Sequence, residues 1–451
     1  MTVHQRFDMD TLERFKHAMA DNGVELPLSE DWAVLSSPLS IGGKTIPNRL
    51  AIQPMEGCDG EENGSPNELA FRRYERFAKG GAGLIWLEAN AVTQNGRANP
   101  RQFYLTPRTQ DGFRELCSRI RDSRSPEDQP YTVLQLTHSG RYSRPEGKSE
   151  PVIAARNPYL DGPDMSDDCV ITDSGLEALE DKYVEAAVLA QKVGFDAVDV
   201  KASHRYLISG LLSAFTRKGK YGGSFENRTR FLLNIVEKIR DRLGDSMAIA
   251  VRLNACDGIP YPYGWGVDRE DYRVPDLSEP KKLARMLWER GVRILNVTCG
   301  NPYYNPHINR PYDLGFYTPP EHPLVSTERL LRCGMEIQKA VPEMIVMGTG
   351  LSWLREYGAM VAAGAIGKGW FQLAGFGRQA IAYPDFPLDI FREGGMKRSK
   401  CCISCSKCSE IMRFGGKTGC VVRDSGVYAQ QYRECRGGKP TLIDKRLAEH
   451  V

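Results

Sequence analysis

The sequence has little that would direct the chain into a membrane, onto nucleic acid or out of the cell. No apolar run approaches the ~20 residues that a transmembrane helix needs, and the first residues, MTVHQRFDMDTLERFKHAM, carry charges throughout instead of the apolar stretch of a secretory signal. The 60 Lys and Arg are spread among 57 Asp and Glu, with a formal charge of +3, so neither nucleic acid nor an anionic membrane is an expected partner. We expect a cytoplasmic protein.

A second absence concerns dinucleotide binding. No G-x-G-x-x-G follows the first predicted strand, which argues against a doubly wound open sheet. The 451 residues, 41% hydrophobic and 26% charged, have the composition of an ordinary globular protein. That length suits one large core of (β/α)8 type, for which ~250 residues suffice, plus a smaller appendage.

Short apolar runs rich in β-branched residues recur along the chain, each followed by a polar or glycine-containing turn. Their number, eight, is what a closed parallel barrel requires. The predicted strands are Leu50 to Pro54, Ala82 to Asn90, Tyr131 to Thr137, Phe195 to Lys201, Met247 to Leu253, Val292 to Thr298, Met344 to Gly348 and Gly364 to Gly369.

Helical segments with apolar spacings of three and four lie between these strands, among them GLEALEDKYVEAAVLAQKVG, RTRFLLNIVEKIRDRLG, EPKKLARMLWERG and STERLLRCGMEIQKAV. Strands that alternate with helices indicate a parallel sheet, so we predict a (β/α)8 TIM barrel. The predicted divisions are an N-terminal helical lead-in over residues 1–35, the barrel over 36–395 and a cysteine-rich tail over 396–451.

Polar residues and glycines follow almost every predicted strand. In a (β/α)8 barrel these strand ends meet at one face and build the site, although strand ends are in general more polar than strand centres. The ends in question are Gln53 to Glu56, Glu88 to Asn90, Gln135 to Arg141, Lys201 to Tyr206, Arg252 to Asn254, Gly348 to Gly350, and Gly369.

The motifs at these positions resemble those of the old yellow enzyme family, the FMN-dependent NADH:flavin oxidoreductases. The resemblance covers about residues 35–390 and depends on NRLAIQPM, YERFAKGGAGLIWLEA, LQLTHSGR, SHRYLISGLLSAFTRKGKYGGSFENRTRF, VRLN and MGTG. It implies a barrel that holds FMN at its open end.

The resemblance also implies which residues contact the flavin ring. Gln135 would bond the pyrimidine edge, and Arg252 would lie near N1 and the C2 carbonyl, where a fixed cation stabilises the anionic reduced flavin. The predicted ring contacts are Pro54, Met55, Glu56, Glu88, Gln135 and Arg252.

The FMN phosphate would bind to backbone N–H groups at two glycine-rich strand ends, because glycine lets the backbone approach an anion closely. An arginine next to them would add a charge-assisted contact. The predicted phosphate residues are Gly348, Thr349, Gly350, Gly375, Phe376, Gly377 and Arg378.

By the same resemblance, Lys201, His204 and Tyr206 occupy the catalytic positions after the fourth strand. Lys201 and His204 would bind a carbonyl or carboxylate, while Tyr206 protonates Cα as the flavin N5 delivers hydride to Cβ of an activated alkene. Lys201 departs from the usual His, Tyr or Cys, and the alternative for it is a structural ion pair with Glu88 or another strand-end acid.

Glu56 is a second departure, because the family usually places Thr, Cys or Ala beside the flavin C4 carbonyl. Trimethylamine dehydrogenase, a relative, attaches FMN through a cysteine at this position. With Glu56 there we expect no such link, and Cys58 lies two residues too late to replace it.

Cysteines crowd near the C-terminus in the order Cys402-x2-Cys405-x2-Cys408-x11-Cys420. Four thiolates with this spacing suit a [4Fe–4S] cluster, and a four-cysteine zinc site uses similar spacing. The segment resembles the cluster segment of trimethylamine dehydrogenase and of FMN- and cluster-containing 2,4-dienoyl-CoA reductase, which favours the cluster. Cys401 is an alternative first ligand, and Cys435 is not expected to be one.

Those relatives continue into nucleotide-binding domains, whereas this sequence ends about thirty residues after Cys420. We therefore expect the cluster to exchange electrons with a separate protein, such as a ferredoxin, an electron-transferring flavoprotein or a reductase subunit, or with NAD(P)H. Association into a homo-oligomer is left open.

Three functions fit the sequence. The first is reduction of a C=C bond conjugated to a carbonyl or carboxylate. The second is oxidative dehydrogenation or demethylation of an amine, with electrons leaving through the cluster, and the third is a non-catalytic electron-transfer subunit. Five aromatic residues in the loops after the fifth and sixth predicted strands have three possible roles. They would form a cage around a cationic amine, form a slot for a flat substrate, or simply pack within the loops. These residues are Tyr261, Tyr263, Trp265, Tyr303 and Tyr304.

Overall fold

The structure, a computed structural model, describes residues 3–162 and 165–443. Eight parallel strands, β3 to β10, follow one another around a closed barrel in which β10 pairs with β3. This confirms the predicted (β/α)8 barrel. The strands are β1 (Leu39–Ile41), β2 (Lys44–Ile46), β3 (Leu50–Ile52), β4 (Leu84–Ala91), β5 (Tyr131–Thr137), β6 (Ala197–Val200), β7 (Ala248–Cys256), β8 (Val292–Cys299), β9 (Ile345–Gly348) and β10 (Leu373–Phe376).

Helices pack around the outside of the barrel and bury the apolar stripes that the sequence predicts. The helices are α1 (Leu12–Asp21), α2 (Ala33–Ser36), α3 (Glu68–Lys79), α4 (Gln110–Asp122), α5 (Asp173–Val193), α6 (Leu207–Leu212), α7 (Phe225–Leu243), α8 (Ser278–Glu289), α9 (Pro306–Asn309), α10 (Pro323–Ala340), α11 (Tyr357–Gly367), α12 (Arg378–Ala382), α13 (Phe386–Glu393), α14 (Lys407–Arg413) and α15 (Ser425–Arg436). Among them, α5, α7, α8 and α10 are the four predicted helices.

Seven predicted strands are confirmed with ends shifted by a few residues, but the eighth is wrong. Gly364 belongs to helix α11, and Gly369 lies in the turn after it with φ +69°. The helix is apolar on every side because it is buried between the barrel and the N-terminal segment, so it lacks a 3.6-residue period. The true eighth strand is the short run LAGF, Leu373–Phe376.

The amino-terminal end of the barrel is closed by a hairpin, β1 and β2, that the sequence analysis did not predict. Its Ile41 and Ile46 join Trp86 and Tyr131 in an apolar cluster at this end. The polar residues that follow the strands therefore lie at the opposite end of the barrel, where the strands have their carboxyl ends.

The N-terminal segment is helical only over α1 and α2, and residues 1–2 of the predicted lead-in lie outside the described residues. Its Phe15 stacks on Tyr357 of α11 with ring centroids 4.6 Å apart. Within the described ranges, no helix is both long and apolar enough to cross a membrane.

The cysteine-rich tail folds against the carboxyl-end face. Asp424 accepts two hydrogen bonds from Arg72, at 2.8 and 2.9 Å, and one from Arg76 at 2.6 Å, both on α3. The Thr418 N–H donates to the Gly57 carbonyl at 2.6 Å. The end of the predicted tail, residues 444–451, lies outside the described part of the chain.

Candidate cofactor cleft and cysteine cavity

A cleft with about 1150 Å³ of empty space opens where the barrel strands end and where the tail covers them. Most of the residues predicted from the sequence line it together: Pro54, Met55, Glu56, Gln135, Lys201, His204, Tyr206, Arg252, Thr349, Gly350, Gly375, Gly377 and Arg378. The tail contributes Cys408, Ser409, Met412, Arg413 and Thr418.

The floor of the cleft is organised by Asp199, a fully buried carboxylate of β6. It accepts hydrogen bonds from Gln135 Nε2 at 2.6 Å, from Trp86 Nε1 at 2.9 Å and from the Arg252 N–H at 2.6 Å. Burial raises the pKa of Asp199 to about 6, and these donors oppose the rise. The carboxylate fixes the Gln135 amide so that its carbonyl oxygen is free to accept from a ligand.

Arg252 reaches this floor from β7 and is 8% exposed. Burial lowers the pKa of Arg252 to about 10, so the guanidinium stays charged at neutral pH. Its Nε is a buried donor that no described residue accepts. A buried donor of this kind needs a hydrogen-bond acceptor, which a ligand in the cleft would supply.

Two arginines meet at the end of the cleft formed by Thr349, Gly350 and Gly377. Arg378 begins α12 and donates from Nη2 to the Pro311 carbonyl, and Arg310 lies in the loop after β8. In each, Nη1 is buried with no acceptor in the described chain. Two like charges side by side with unused donors form a site for an anion.

A side chain at the neighbouring position 375 would displace the side chains that pack there. A Cβ on Gly375 would lie 2.1 Å from Gln53 Nε2, and one on Gly377 would lie 3.1 Å from Met55 Sδ. Gly348 and Phe376 were also predicted to bind the phosphate. In the structure, Gly348 packs on Phe371, and the Phe376 ring packs on the Phe386 ring. Neither residue is among those that line the cleft.

Tyr206 is held over the cleft by two consecutive residues in the left-handed region, His204 at φ +63° and Arg205 at φ +60°. Arg205 anchors this turn through a hydrogen bond of 2.8 Å to Asp257. The His204 Nε2 lies 3.1 Å from the Asn309 amide, and burial holds its pKa well below the usual range, so the ring is neutral.

Lys201 lies beneath Tyr206, with Nζ 3.8 Å from the centroid of the phenol ring. Its side chain is 3% exposed, and Nζ is 4.0 Å from Glu56 Oε1. Burial lowers the pKa of Lys201 to about 8, and the charge of Glu56 opposes that shift. Lys201 is thus a buried cation next to an acid, but this acid is Glu56 and not Glu88.

Glu88 is the predicted ring contact that lies outside the cleft lining. It pairs with Arg73, which also binds Asp59 at 2.5 Å, and it accepts a hydrogen bond of 2.7 Å from the Gly57 N–H. Burial raises the pKa of Glu88 to about 7. This buried ion cluster supports the turn that carries Glu56 and leaves Glu88 no free face toward the cleft.

Tyr303 and Arg310 line the cleft; the sequence analysis named Tyr303 only as one of five aromatic residues and did not name Arg310. The Tyr303 hydroxyl is 3.0 Å from that of Tyr206, and its ring stacks on Tyr142 at 3.9 Å. Both residues belong to the irregular loop after β8, NPYYNPHINRP, in which no periodic pattern marks an inward side chain.

The remaining predicted aromatic residues are not gathered around the cleft. Trp265 is fully buried against Phe225, and Tyr261 packs on Phe215 with ring centroids 5.1 Å apart. Only Tyr303 among the five lines the cleft. The described residues therefore form no five-membered cage for a cationic ligand.

The predicted metal ligands, Cys402, Cys405, Cys408 and Cys420, line a second cavity with about 380 Å³ of empty space. Backbone N–H groups point at two of the sulfurs, from Ser404 to Cys402 at 3.4 Å and from Arg423 to Cys420 at 3.2 Å. Within residues 3–162 and 165–443, no three His, Cys, Asp or Glu side chains are gathered as a single metal ion requires.

Cys401, the alternative first ligand, and Cys435, which was not expected to be a ligand, do not line this cavity. The Cys401 thiol faces the Lys397 carbonyl at 3.6 Å, and that of Cys435 faces the Tyr432 carbonyl at 3.5 Å. Cys408 lines both the cysteine cavity and the large cleft, as does Arg378. The two cavities thus share a wall.

The sequence of this chain is similar to those of known flavin oxidoreductases. The model of the family described as "NADH:flavin oxidoreductase / NADH oxidase family" matches residues 34–263, about half of the chain. The NADH oxidase of Thermoanaerobacter brockii is 29% identical over 377 residues, which are 81% of this chain and 52% of that protein. The cinnamate reductase of Clostridium sporogenes is 26% identical over 464 residues, 93% of this chain and 65% of that protein.

A solved structure described as a complex of 2-naphthoyl-CoA reductase with 2-naphthoyl-CoA superposes with a TM-score of 0.69 at 22% identity, covering 89% of this chain and 58% of that one. At this identity the likeness concerns the fold. The chain spans roughly half to two thirds of the length of these three proteins.

Proposed function

Because this chain belongs to the NADH:flavin oxidoreductase / NADH oxidase family, we propose that it is an FMN-dependent oxidoreductase that reduces a C=C bond conjugated to a carboxylate or carbonyl. The family match confirms the resemblance read from the motifs. The observation that carries the proposal is that Lys201, His204 and Tyr206 converge on the cleft that Gln135 and Arg252 also line. The similarity to a cinnamate reductase supports this substrate class.

The cleft fits FMN through its unused donors. The buried Nη1 atoms of Arg310 and Arg378 suit the phosphate, together with the backbones around Thr349, Gly350 and Gly377. Gln135 and the free Nε of Arg252 suit the polar edge of the ring, and Pro54, Met55 and Glu56 its side. When bound there, FMN supplies the hydride that this chemistry needs.

The substrate residues bind and protonate. Lys201 and His204 hold the carboxylate or carbonyl oxygen, on which negative charge grows when a hydride adds to Cβ, and the Lys201 ammonium offsets that charge. Tyr206 gives its phenolic proton to Cα. Burial and the charge of Glu56 raise the pKa of Tyr206 well above its usual range, and the Lys201 ammonium 3.8 Å from the ring centroid offsets part of the cost of forming the phenolate.

We propose that Cys402, Cys405, Cys408 and Cys420 hold a [4Fe–4S] cluster. All four cysteines line one cavity, and the backbone N–H groups that point at two of their sulfurs are typical of such clusters. The proposed divisions remain the lead-in over 1–35, the FMN barrel over 36–395 and the cluster tail over 396–451.

The wall shared through Cys408 supports electron exchange between the two sites. The donor we propose is a separate electron-transfer protein, with NAD(P)H as the alternative that the family name favours. All twelve cysteines are unpaired, which fits a reducing compartment such as the cytoplasm.

Two experiments separate this function from amine oxidation and from a non-catalytic role. Protein purified without air and reduced with dithionite is mixed with cinnamate, and we expect the flavin absorbance to return as the alkene is consumed. Oxidised protein is mixed with primary, secondary and tertiary amines, and we expect no bleaching. Bleaching by an amine without reoxidation by any enoate would replace the proposal by amine oxidation, and a flavin inert to both classes would favour the electron-transfer subunit.

A further inference from the structure

Tyr206 has two hydrogen-bond neighbours at its hydroxyl. The phenol donates to Glu56 Oε1 at 3.1 Å, and the Tyr303 hydroxyl lies 3.0 Å away on the other side. A proton donor must be restored after every turnover, and Tyr206 itself is only 2% exposed. These two neighbours are the described groups through which a proton can pass from solvent to the Tyr206 hydroxyl.

Glu56 is better suited to this task than Tyr303. A phenol passes on its own proton only by becoming a phenolate, and burial with the nearby Glu56 charge raises the pKa of Tyr303 well above its usual range. Both neighbours reach water, because the Glu56 side chain is 17% exposed and Tyr303 is 38% exposed. Glu56 differs in that its Oε1 lies 4.0 Å from the Lys201 ammonium, which stabilises the charged form of the carboxylate. Cys58 and Glu88 are the other titratable groups that its charge acts upon.

We propose that Glu56 returns a proton to Tyr206 after each turnover; this rests on the alkene reduction proposed above. When the Tyr206 O–H bond breaks and its proton bonds to Cα, the electron pair stays on the phenolate oxygen. The Glu56 carboxylate takes one proton from water in the cleft and passes it along the same hydrogen bond to the phenolate. Glu56 is again a carboxylate, stabilised by Lys201, and the only net change is one proton taken from solvent.

This role predicts a difference between the first turnover and later ones in Glu56→Gln, whose amide keeps the size and the acceptor oxygen but cannot take up and release a proton as a carboxyl group does. In the first turnover Tyr206 still has its own proton, so the loss of the relay slows only the later turnovers, whereas any effect of the substitution on the flavin or on Lys201 slows all turnovers alike and cancels in the ratio. With cinnamate and excess reduced methyl viologen, the ratio of the first-turnover rate to the steady-state rate should rise at least about tenfold over the wild-type ratio.

Two further variants make the kinetic test specific. Glu56→Asp keeps an acid and should bring the ratio back toward the wild-type value. Tyr303→Phe removes the other neighbour and should not raise it. A Glu56→Gln protein that slows the first and later turnovers equally, or a rise in Tyr303→Phe instead, would overturn the proposal.

A readout without turnover separates the relay from the proposed function. In protein labelled with ¹³C at tyrosine Cζ, the Tyr206 resonance, assigned by its loss in Tyr206→Phe, should shift in Glu56→Gln because the phenol no longer donates to a carboxylate. An unchanged resonance overturns the relay whatever the substrate is. If the resonance shifts but no enoate reoxidises the wild-type flavin, the proposed substrate class is wrong while the proton contact between Glu56 and Tyr206 stands.

Discussion

Gln135 and Asp199 face each other on neighbouring barrel strands, and the Gln135 amide donates to the Asp199 carboxylate at 2.6 Å. The carboxylate has no hydrogen to give at neutral pH, so the amide is held with its nitrogen toward the barrel and its oxygen toward the cleft. The orientation of a predicted cofactor contact is thus set by a residue one layer deeper.

We predict that Asp199→Asn weakens FMN binding and the fold together. An Asn replaces one carboxylate oxygen by an amide nitrogen, which is itself a donor and cannot accept from Gln135, Trp86 or the Arg252 N–H. At least one of the three hydrogen bonds is therefore lost at a buried site, which costs about 1–3 kcal/mol. Fluorescence titration with FMN and urea unfolding measure the two effects. Wild-type affinity and stability would show that Asp199 does not hold Gln135.

Lys201 should make substrate binding depend on pH. Burial lowers its pKa from 10.5 to about 8, so the ammonium is lost early and kcat/KM for an anionic enoate should fall as pH rises through about 8. Lys201→Arg keeps a cation over that range and should lose this fall, whereas Lys201→Met should be poorly active at every pH. A fall near pH 8 that persists in both variants would assign it to another group.

The same pKa shift predicts a stability effect of definite sign. Between pH 8 and 10.5 the unfolded chain binds the Lys201 proton more tightly than the folded one, so this residue makes the free energy of unfolding rise with pH in that interval. Chemical unfolding of wild type and Lys201→Met at pH 7.5 and 9.5 checks it, since Lys201→Met should show a smaller rise. An equal rise in both proteins would contradict the shift.

The four cavity cysteines should each be required for iron, and their neighbours should not. We expect Cys402→Ser, Cys405→Ser, Cys408→Ser and Cys420→Ser to lose most of the bound iron, because a thiol that faces the cavity is removed. Cys401→Ser and Cys435→Ser are matched controls whose thiols face backbone carbonyls. Iron analysis and electron paramagnetic resonance of the reduced protein measure the outcome, and iron loss in Cys401→Ser with retention in Cys402→Ser would exchange the two roles.

Much of this architecture follows from local patterns. Seven strands were predictable because each buries a short apolar run, and the polar residues after β3, β5, β6 and β7 were predictable because parallel strands end at one face. Helix α11 was not predicted as a helix because a helix that is buried on all sides has no polar face, and its sequence therefore lacks the 3.6-residue apolar period.

What sequence could not give depends on contacts between distant parts of the chain. Arg310 enters the cleft from an irregular loop. Glu88 is held outside the cleft lining by Arg73, a residue of helix α3 for which no motif predicts an inward-pointing side chain. The glycine at position 57 matters for the same reason, because a Cβ there would lie 2.3 Å from the Arg73 guanidinium.

Arg310 and Arg378 should discriminate between FMN and riboflavin. Both have an unused buried donor at the proposed phosphate position, so Arg378→Met and Arg310→Met should each weaken FMN binding by about 1.5–3 kcal/mol, the worth of a hydrogen bond to a charged group. Riboflavin, which lacks the phosphate, is the matched control and should bind all three proteins alike. Equal losses for both ligands would mean that these arginines support the cleft and not the phosphate.

The composition of the intact chain, purified without air, tests the central claim most directly. Flavin and metal analysis with an absorption spectrum should find about one FMN and about four iron atoms per chain in a brown protein with a yellow component. A colourless protein that binds zinc, and that takes up neither flavin nor iron on anaerobic reconstitution, would contradict the account.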